Sequence, residues 1–330
     1  MIVNNCKRWL AATSLLCVSA SALAQSVPNL AEQAAEEYRR MAKYPAWSQP
    51  LANEGVNPIL SERVPAIVRD RGAGENGPQL AVWSDDILAQ KGGSISVYAR
   101  IDSGNLIAAP QSGDWALSAQ LLNAPDSVLT EITLADNGRG ADAIAGDGIY
   151  SASIDVADEW LPAMGQAQSV AVRVSANSDD YELRAMNGLL LSQPAAALTG
   201  DFRDAVVDGN LQIQAKVSVQ QAGRFHLSAV LDTPLGEPAA FAQQSYELDA
   251  GEHWVALDVY GLILHELGAA VPLNVSAITL TTTQGMPNAL GTVLTDVLTT
   301  AVRPLSAYTS KPFGRADLLD TAARLEAVAP

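Results

Sequence analysis

Asn210–Val219 reads NLQIQAKVSV, with Leu211, Ile213, Ala215, Val217 and Val219 apolar and a polar residue in each gap between them. Successive side chains on a strand point to opposite faces, so this alternation gathers five apolar residues on one side. The same five would be scattered around a helix. The stretch therefore reads as a strand that buries one face and wets the other, as antiparallel sheets do. Downstream, GRFHLSAVLD, AFAQQSYELD, GEHWVALDVYG and PLNVSAITLTT follow, set apart by Gly, Pro and Asp. Upstream the same period runs from Gln79 to Ser192. It includes SISVYARI with Ile95, Val97, Ala99 and Ile101, and VLTEITL with Val128, Thr130, Ile132 and Leu134 on one face. WALSAQLL, IYSASIDV, SVAVRVSA and YELRAMNGLLL complete the series. Short strands at this spacing, without alternating helices, predict an all-β protein: two antiparallel immunoglobulin-like β-sandwiches with an N-terminal helix and a loop-rich connector.

The chain has 330 residues, and composition marks its divisions. Lys7 and Arg8 precede the apolar run WLAATSLLCVSA, and Ala22–Ala24 supplies small residues after it. Residues 1–24 therefore read as a secretory signal peptide, with cleavage expected after Ala24 and a periplasmic or secreted product. Its apolar run is too short for a spanning helix, and no later stretch reaches the roughly 18 apolar residues one needs, so no transmembrane anchor is expected. Residues 25–78 hold a helix, NLAEQAAEEYRRMAK over 29–43, and a Pro/Gly-rich connector that should drape over another part of the fold. Asn29 and Glu32 form a capping box, while Leu30, Ala34, Tyr38 and Met41 make one apolar stripe. Pro45 ends that helix. The first sandwich is placed at 79–193 and the second at 194–313, with an Ala-Pro join near Gln193–Ala197. A short C-terminal helix or tail is placed at 314–330.

Cys6 and Cys17 both fall in the expected signal, which leaves the mature chain no disulfide or thiol chemistry. Loss of Lys7 and Arg8 leaves 18 basic against 36 acidic residues, a net charge of −18. Such a surface repels nucleic acid and anionic membrane, so neither is an expected partner.

LADNGRGADAIAGDGIYSASI (Leu134–Ile154) is the stretch closest to chemistry. Asp136, Asp142 and Asp147, with Asn137 and backbone carbonyls, offer the oxygen ligands that calcium takes in flexible geometry. Gly138, Gly140, Gly146 and Gly148 allow the positive φ values that such a loop needs. An EF-hand is excluded, because the third, fifth and sixth positions from Asp136 are Gly138, Gly140 and Ala141. The alternative is a long turn without an ion, its aspartates accepting from their own backbone in Asx-turns. Either way, the expected role of the loop is structural.

Other motifs carry less. His265 in HELG lacks the second histidine of a zincin helix, and His226 and His253 read as surface or rim positions. No GxSxG elbow, P-loop or strand-borne GxGxxG occurs. No catalytic or organic-cofactor residue is therefore assigned. Of the tryptophans, Trp254 reads as core, and Trp47 as a staple holding the N-terminal helix to a sandwich.

The aspartate loop resembles the D-D-G-x-x-x-D-x-x-A-x-D-G-x-Y loop of secreted bacterial tandem immunoglobulin-like proteins of the choice-of-anchor X type. Asp136, Gly138, Asp142, Ala145, Asp147, Gly148 and Tyr150 match, and Asn137 replaces the second residue. The resemblance extends over about residues 80–313 through LTGDFRDAVVDGNLQIQAKVSVQQAGRFHLSAVL and GEHWVALDVYGLILHELGAAVPLNVSAITL. It implies a gammaproteobacterial, exported, non-enzymatic β protein with no catalytic residues to carry over. The function expected is a binding or structural module contacting a protein or a cell-surface glycan. A polysaccharide-binding accessory module with exposed aromatic platforms is the alternative. A hydrolase with an unrecognised carboxylate pair is the third reading.

Overall fold

The computed structural model describes residues 30–51, 55–70, 77–102, 115–124, 127–268 and 270–327. The expected signal peptide and Asn29 lie outside them. Helix α1 (Leu30–Ala42) comes first, as the period predicts. Its buried positions are Ala35 and Ala42, while Leu30 and Met41 are exposed. The stripe read from the sequence is therefore turned by about one residue. Small alanines take the covered face, and the larger apolar side chains do not.

The connector does more than drape. Strand β1 (Ser48–Pro50) pairs antiparallel with a strand almost 200 residues later, and the short helix α2 (Pro58–Ser61) follows. Asn57 caps α2, its side-chain oxygen accepting from Leu60 N at 3.2 Å. Leu51 and Ile59 are buried against Val230 and Ala277 of the second sandwich.

The first sandwich contains β2 (Val68–Asp70), β3 (Gln79–Ser84), β4 (Leu88–Gln90), β5 (Ser94–Asp102), β6 (Ala116–Ala124), β7 (Ser127–Ile132), β8 (Ile149–Asp155), β9 (Gln166–Asn177) and β10 (Glu182–Gln193). Two sheets result, in the orders β2-β3-β5-β8 and β4-β10-β9-β6-β7. Their pairings are antiparallel except for β4 beside β10. Leu80, Val82, Ile95 and Val97 belong to the same buried cluster as Leu121, Val172, Val174 and Leu191. Val128 departs from the sequence reading. Register shifts between Leu121 and Ala124 interrupt the ladder, so Val128 is exposed while Leu129 packs on the core.

The second sandwich contains β11 (Ala196–Val207), β12 (Asn210–Val219), β13 (Gly223–Asp232), β14 (Pro238–Leu248), β15 (Gly251–Val259), β16 (Asn274–Thr282) and β17 (Val293–Thr299). Its sheets run β11-β12-β15 and β1-β14-β13-β16-β17. NLQIQAKVSV is the central strand of the first of these, with its five apolar side chains buried. The alternation did not reveal helix α3 (Gly261–Glu266), which ends within HELG at Glu266. Gly261 is required there, because a Cβ would lie 2.2 Å from the Gly209 carbonyl oxygen.

These strands lie within residues 42–315, which form one compact unit. The other unit joins the N-terminal segment through Met41 with the segment from Ala316, which contains α4 (Ala316–Ala327). Arg39 of α1 ion-pairs with Glu326 of α4.

Two residues separate β10 from β11. Ala195 is fully buried. Its N–H donates to Thr282 Oγ1 at 3.0 Å, and its carbonyl accepts from Gln220 N at 2.8 Å. Gln90 Nε2 and Ser192 Oγ both donate to the Leu290 carbonyl at 2.9 Å.

Ser48 tests whether the connector strand is structural. Its hydroxyl accepts from Tyr260 N at 2.9 Å with both residues buried. Ser48→Ala leaves that N–H unpaired and should cost about 1–3 kcal/mol in urea unfolding. A change within about 0.5 kcal/mol, as for an ordinary surface position, would show that the strand is dispensable.

Candidate functional site

The aspartate loop leaves β7 in one sheet of the first sandwich and enters β8 in the other. Its base is pinned by a two-way bridge, Ala135 N to Ser151 O at 3.0 Å and Ser151 N to Ala135 O at 2.9 Å. Asp136 closes the loop across ten and twelve residues, its carboxylate accepting from Gly146 N and Gly148 N. Asp142 accepts from Gly138 N and from Ile144 N. Asp147 accepts from Ile149 N at 2.9 Å, and Asn137 Oδ1 from Arg139 N at 3.0 Å. Gly138 has φ +68°, and a Cβ there would lie 3.2 Å from Ala145 N. Both the backbone conformation and the close approach call for glycine.

One carboxylate oxygen from each of Asp136, Asp142 and Asp147 lies within 4.8 Å of the other two. The fold thus brings together the three aspartates singled out in the sequence, and it fastens each to loop N–H groups as an Asx-turn does. Asp142 is the buried member. The Gly138 N–H holds its carboxyl below the ordinary 3.8; burial acts the other way, and the Ile144 N–H adds to the lowering. This arrangement supplies oxygen ligands and stored negative charge.

The histidines are scattered. His226 Nδ1 meets Ser245 Oγ at 3.1 Å, His253 Nε2 meets the Asp249 carbonyl at 2.8 Å, and His265 Nε2 meets the Tyr308 carbonyl at 3.1 Å. Trp47 packs edge-on against Tyr260, with ring centroids 6.1 Å apart, so it fastens the connector to the second sandwich.

Trp254 corrects the sequence reading: it is 44% exposed, not core. The register explains this. Trp254 pairs with Lys216, while its neighbours Val255 and Leu257 pair with the inward Ala215 and Ile213. Parity with Val255, Leu257 and Val259 was the signal that could have placed Trp254 outside. The Arg203 guanidinium lies 4.1 Å from the Trp254 ring centroid. Beside it, Arg203 donates to Gln214, Gln214 to Gln212, and Gln212 to Asp258. This outward row runs across β11, β12 and β15, and sequence reasoning did not single it out.

A cleft of about 340 Å³ lies between the sandwiches. Its lining includes Gln90, Lys91, Ser192, Gln220, Thr292 and Leu294. Lys91 pairs with Asp158 at 3.0 Å, Ser192 donates to the Leu290 carbonyl, and Thr292 donates to Gln90.

Acid should act on the loop through Asp142. Its folded pKa is depressed, so its contribution is present above the unfolded value and lost as pH falls through the folded one. Melting followed from about pH 5 to about pH 2 should show the loss concentrated below 3.8. Asp142→Asn should remove that part of the acid limb. An unchanged limb would mean the carboxylate is not what acid disrupts.

Residues 195–293, from the join to the start of β17, match the model of the C-terminal domain of DUF4785, a domain of unknown function. No curated protein matches the chain. Among solved structures it is similar to a DUF4785 family protein from Legionella pneumophila, at 17% identity and a TM-score of 0.45 over 66% of this chain and 55% of that one. It is similar to the alpha-2-macroglobulin of Salmonella at 14% identity and a TM-score of 0.32, over 73% of this chain and 15% of the other. A third likeness is to the calcium binding domain CBD12 of CALX1.1, at 12% identity and a TM-score of 0.23, over 62% and 82%. This chain thus spans about half the length of the Legionella protein, and its second sandwich carries the DUF4785 match.

Proposed function

We propose that this is an exported, non-enzymatic module of the choice-of-anchor X type, a tandem of immunoglobulin-like sandwiches that contacts a protein or a cell-surface glycan. The observation that carries the proposal is the chemistry of the inter-sandwich cleft. Its lining offers amides, hydroxyls, apolar side chains and one ion-paired lysine, with no carboxylate, histidine or thiol. The lining groups that acid–base or nucleophilic catalysis could use, Lys91, Ser192 and Thr292, are engaged with Asp158, the Leu290 carbonyl and Gln90. The immunoglobulin-like reading draws support from the division of consecutive strands between the sheets, with β3 in one and the parallel-paired β4 in the other. Export rests on the composition of residues 1–24.

The proposal includes a structural calcium ion on Asp136, Asp142 and Asp147, with Asn137 beside them. Three carboxylates within 4.8 Å repel one another, and a divalent cation would relieve that repulsion. The experiment is a thermal melt of residues 25–330 with calcium and with chelator, repeated on Asp142→Ala. Calcium at a hundred times its dissociation constant should add about 2.7 kcal/mol. That gain should be abolished in the variant. Superimposable curves would leave the loop an ion-free turn. Intact mass of the protein recovered from outside the cytoplasm should place its first residue at Gln25, and a full-length cytoplasmic product would overturn export.

A further inference from the structure

The outward face of the β11-β12-β15 sheet has a composition that none of the preceding roles uses. Its outward positions on β12 are Gln212, Gln214, Lys216 and Ser218. On β15 they are Glu252, Trp254, Ala256 and Asp258, and on β11 Arg203 and Ala205 pair into the same rows. Charge is balanced locally: Lys216 pairs with Glu252 at 2.7 Å, and Arg203 and Asp258 stand at opposite ends of the glutamine row. With Asp201 also near Lys216, the face stays close to neutral in a chain of net charge −16.

The chemistry narrows the occupant. A protein partner that buries apolar surface would find only Trp254 and small alanines here. A nucleic acid needs several uncompensated cations, whereas here Lys216 is paired with Glu252 and Arg203, bonded to Gln214 and set over Trp254, is a single charge. What the face does present is an aromatic plane beside planar hydrogen-bonding groups, held in register by their own bonds. Gln212 Nε2 donates to Asp258 Oδ1 at 3.0 Å and Gln214 Nε2 to Gln212 Oε1 at 2.5 Å. Sugars require this pairing, because a pyranose has an apolar C–H face and a rim of hydroxyls that both donate and accept. Amides serve such hydroxyls in both senses, and carboxylate and guanidinium each serve one. The Arg203 guanidinium, stacked on the indole, restrains both side chains before a ligand arrives, which lowers the entropy lost on binding.

We propose that this face binds an uncharged polysaccharide, with the ring face of Trp254 away from Arg203 as the stacking platform and Gln212, Gln214 and Asp258 as hydroxyl partners. The inference rests on the contact reading above and names its surface and its ligand class.

The test is affinity electrophoresis of the mature chain in native gels cast with dextran, laminarin, hydroxyethylcellulose or mannan. At least one polymer should retard the wild-type protein. Trp254→Ala should weaken that retardation about tenfold, equivalent to about 1.4 kcal/mol. Gln212→Ala should weaken it as well, while Trp83→Ala, on a different sheet, should leave it unchanged. Trp254 is exposed, so its variant should melt with the wild type, and an unaltered melt separates lost binding from lost folding. Migration unaffected by all four polymers overturns the proposal. Retardation that survives Trp254→Ala also overturns it, yet leaves the broader glycan-contact reading standing. Export fails or holds on the separate mass measurement.

Discussion

A β-strand has two faces and can bury only one of them in a sandwich, and the rest of this molecule follows from that limit. Among the described residues each sandwich has one large buried cluster, fed by inward side chains from two facing sheets, and a small third cluster joins the connector to the second sandwich. Fully buried Leu121, Leu191, Phe225 and Leu257 illustrate the yield. Such side chains contribute about 1.5–3 kcal/mol each relative to exposure, which offsets the backbone entropy of ordering the strands. The other face of each sheet is left to polar residues. On β12 these are Gln212, Gln214 and Lys216, and the proposed ligand face is the solvent side of the same alternation that builds the core.

Backbone polar groups impose the second constraint. At the join, Pro194 fixes its own φ and lacks an N–H. Both backbone groups of buried Ala195 find partners in the second sandwich. Leu290 serves both Gln90 and Ser192 through one carbonyl. The passage from one sandwich to the next is thus a bonded corner with no free linker. The connector answers the same demand from the other end of the chain, since β1 supplies hydrogen bonds to an edge that β14 would otherwise expose. The aspartate loop is a third instance: a crossing between sheets has no ladder to satisfy its amides, and carboxylates take that place.

The aspartate loop and the polar face also differ in how they use charge. In the loop, like charges are gathered and tied to amides from Gly138, Ile144, Gly146 and Gly148. On the face, opposite charges alternate with amides and cancel. A loop of the first kind suits a cation or simple self-closure, whereas a surface of the second kind suits a neutral, hydroxyl-rich ligand.

Local pattern by itself determined the all-β class, strands β5 to β10 and β12 to β16 in outline, the N-terminal helix and the three aspartates, because period and turn residues act within a few positions. Several features lay beyond it. The helical stripe was turned because nothing local says which side of α1 is covered. Val128 turned outward because the neighbouring register shifts depend on pairing with β6. Helix α3 begins at Gly261, whose close approach to Gly209, some fifty residues away, is invisible to any local window. The connector's pairing with β14 joins residues almost 200 apart, and no window of sequence contains both. Trp254 shows both levels: its exposure was implicit in the parity of Val255 and Leu257, but its contact with Arg203 on one ring face required β11, β12 and β15 to lie side by side. Periodicity decides which face a residue takes on its own strand, and only the tertiary structure decides which strands become neighbours.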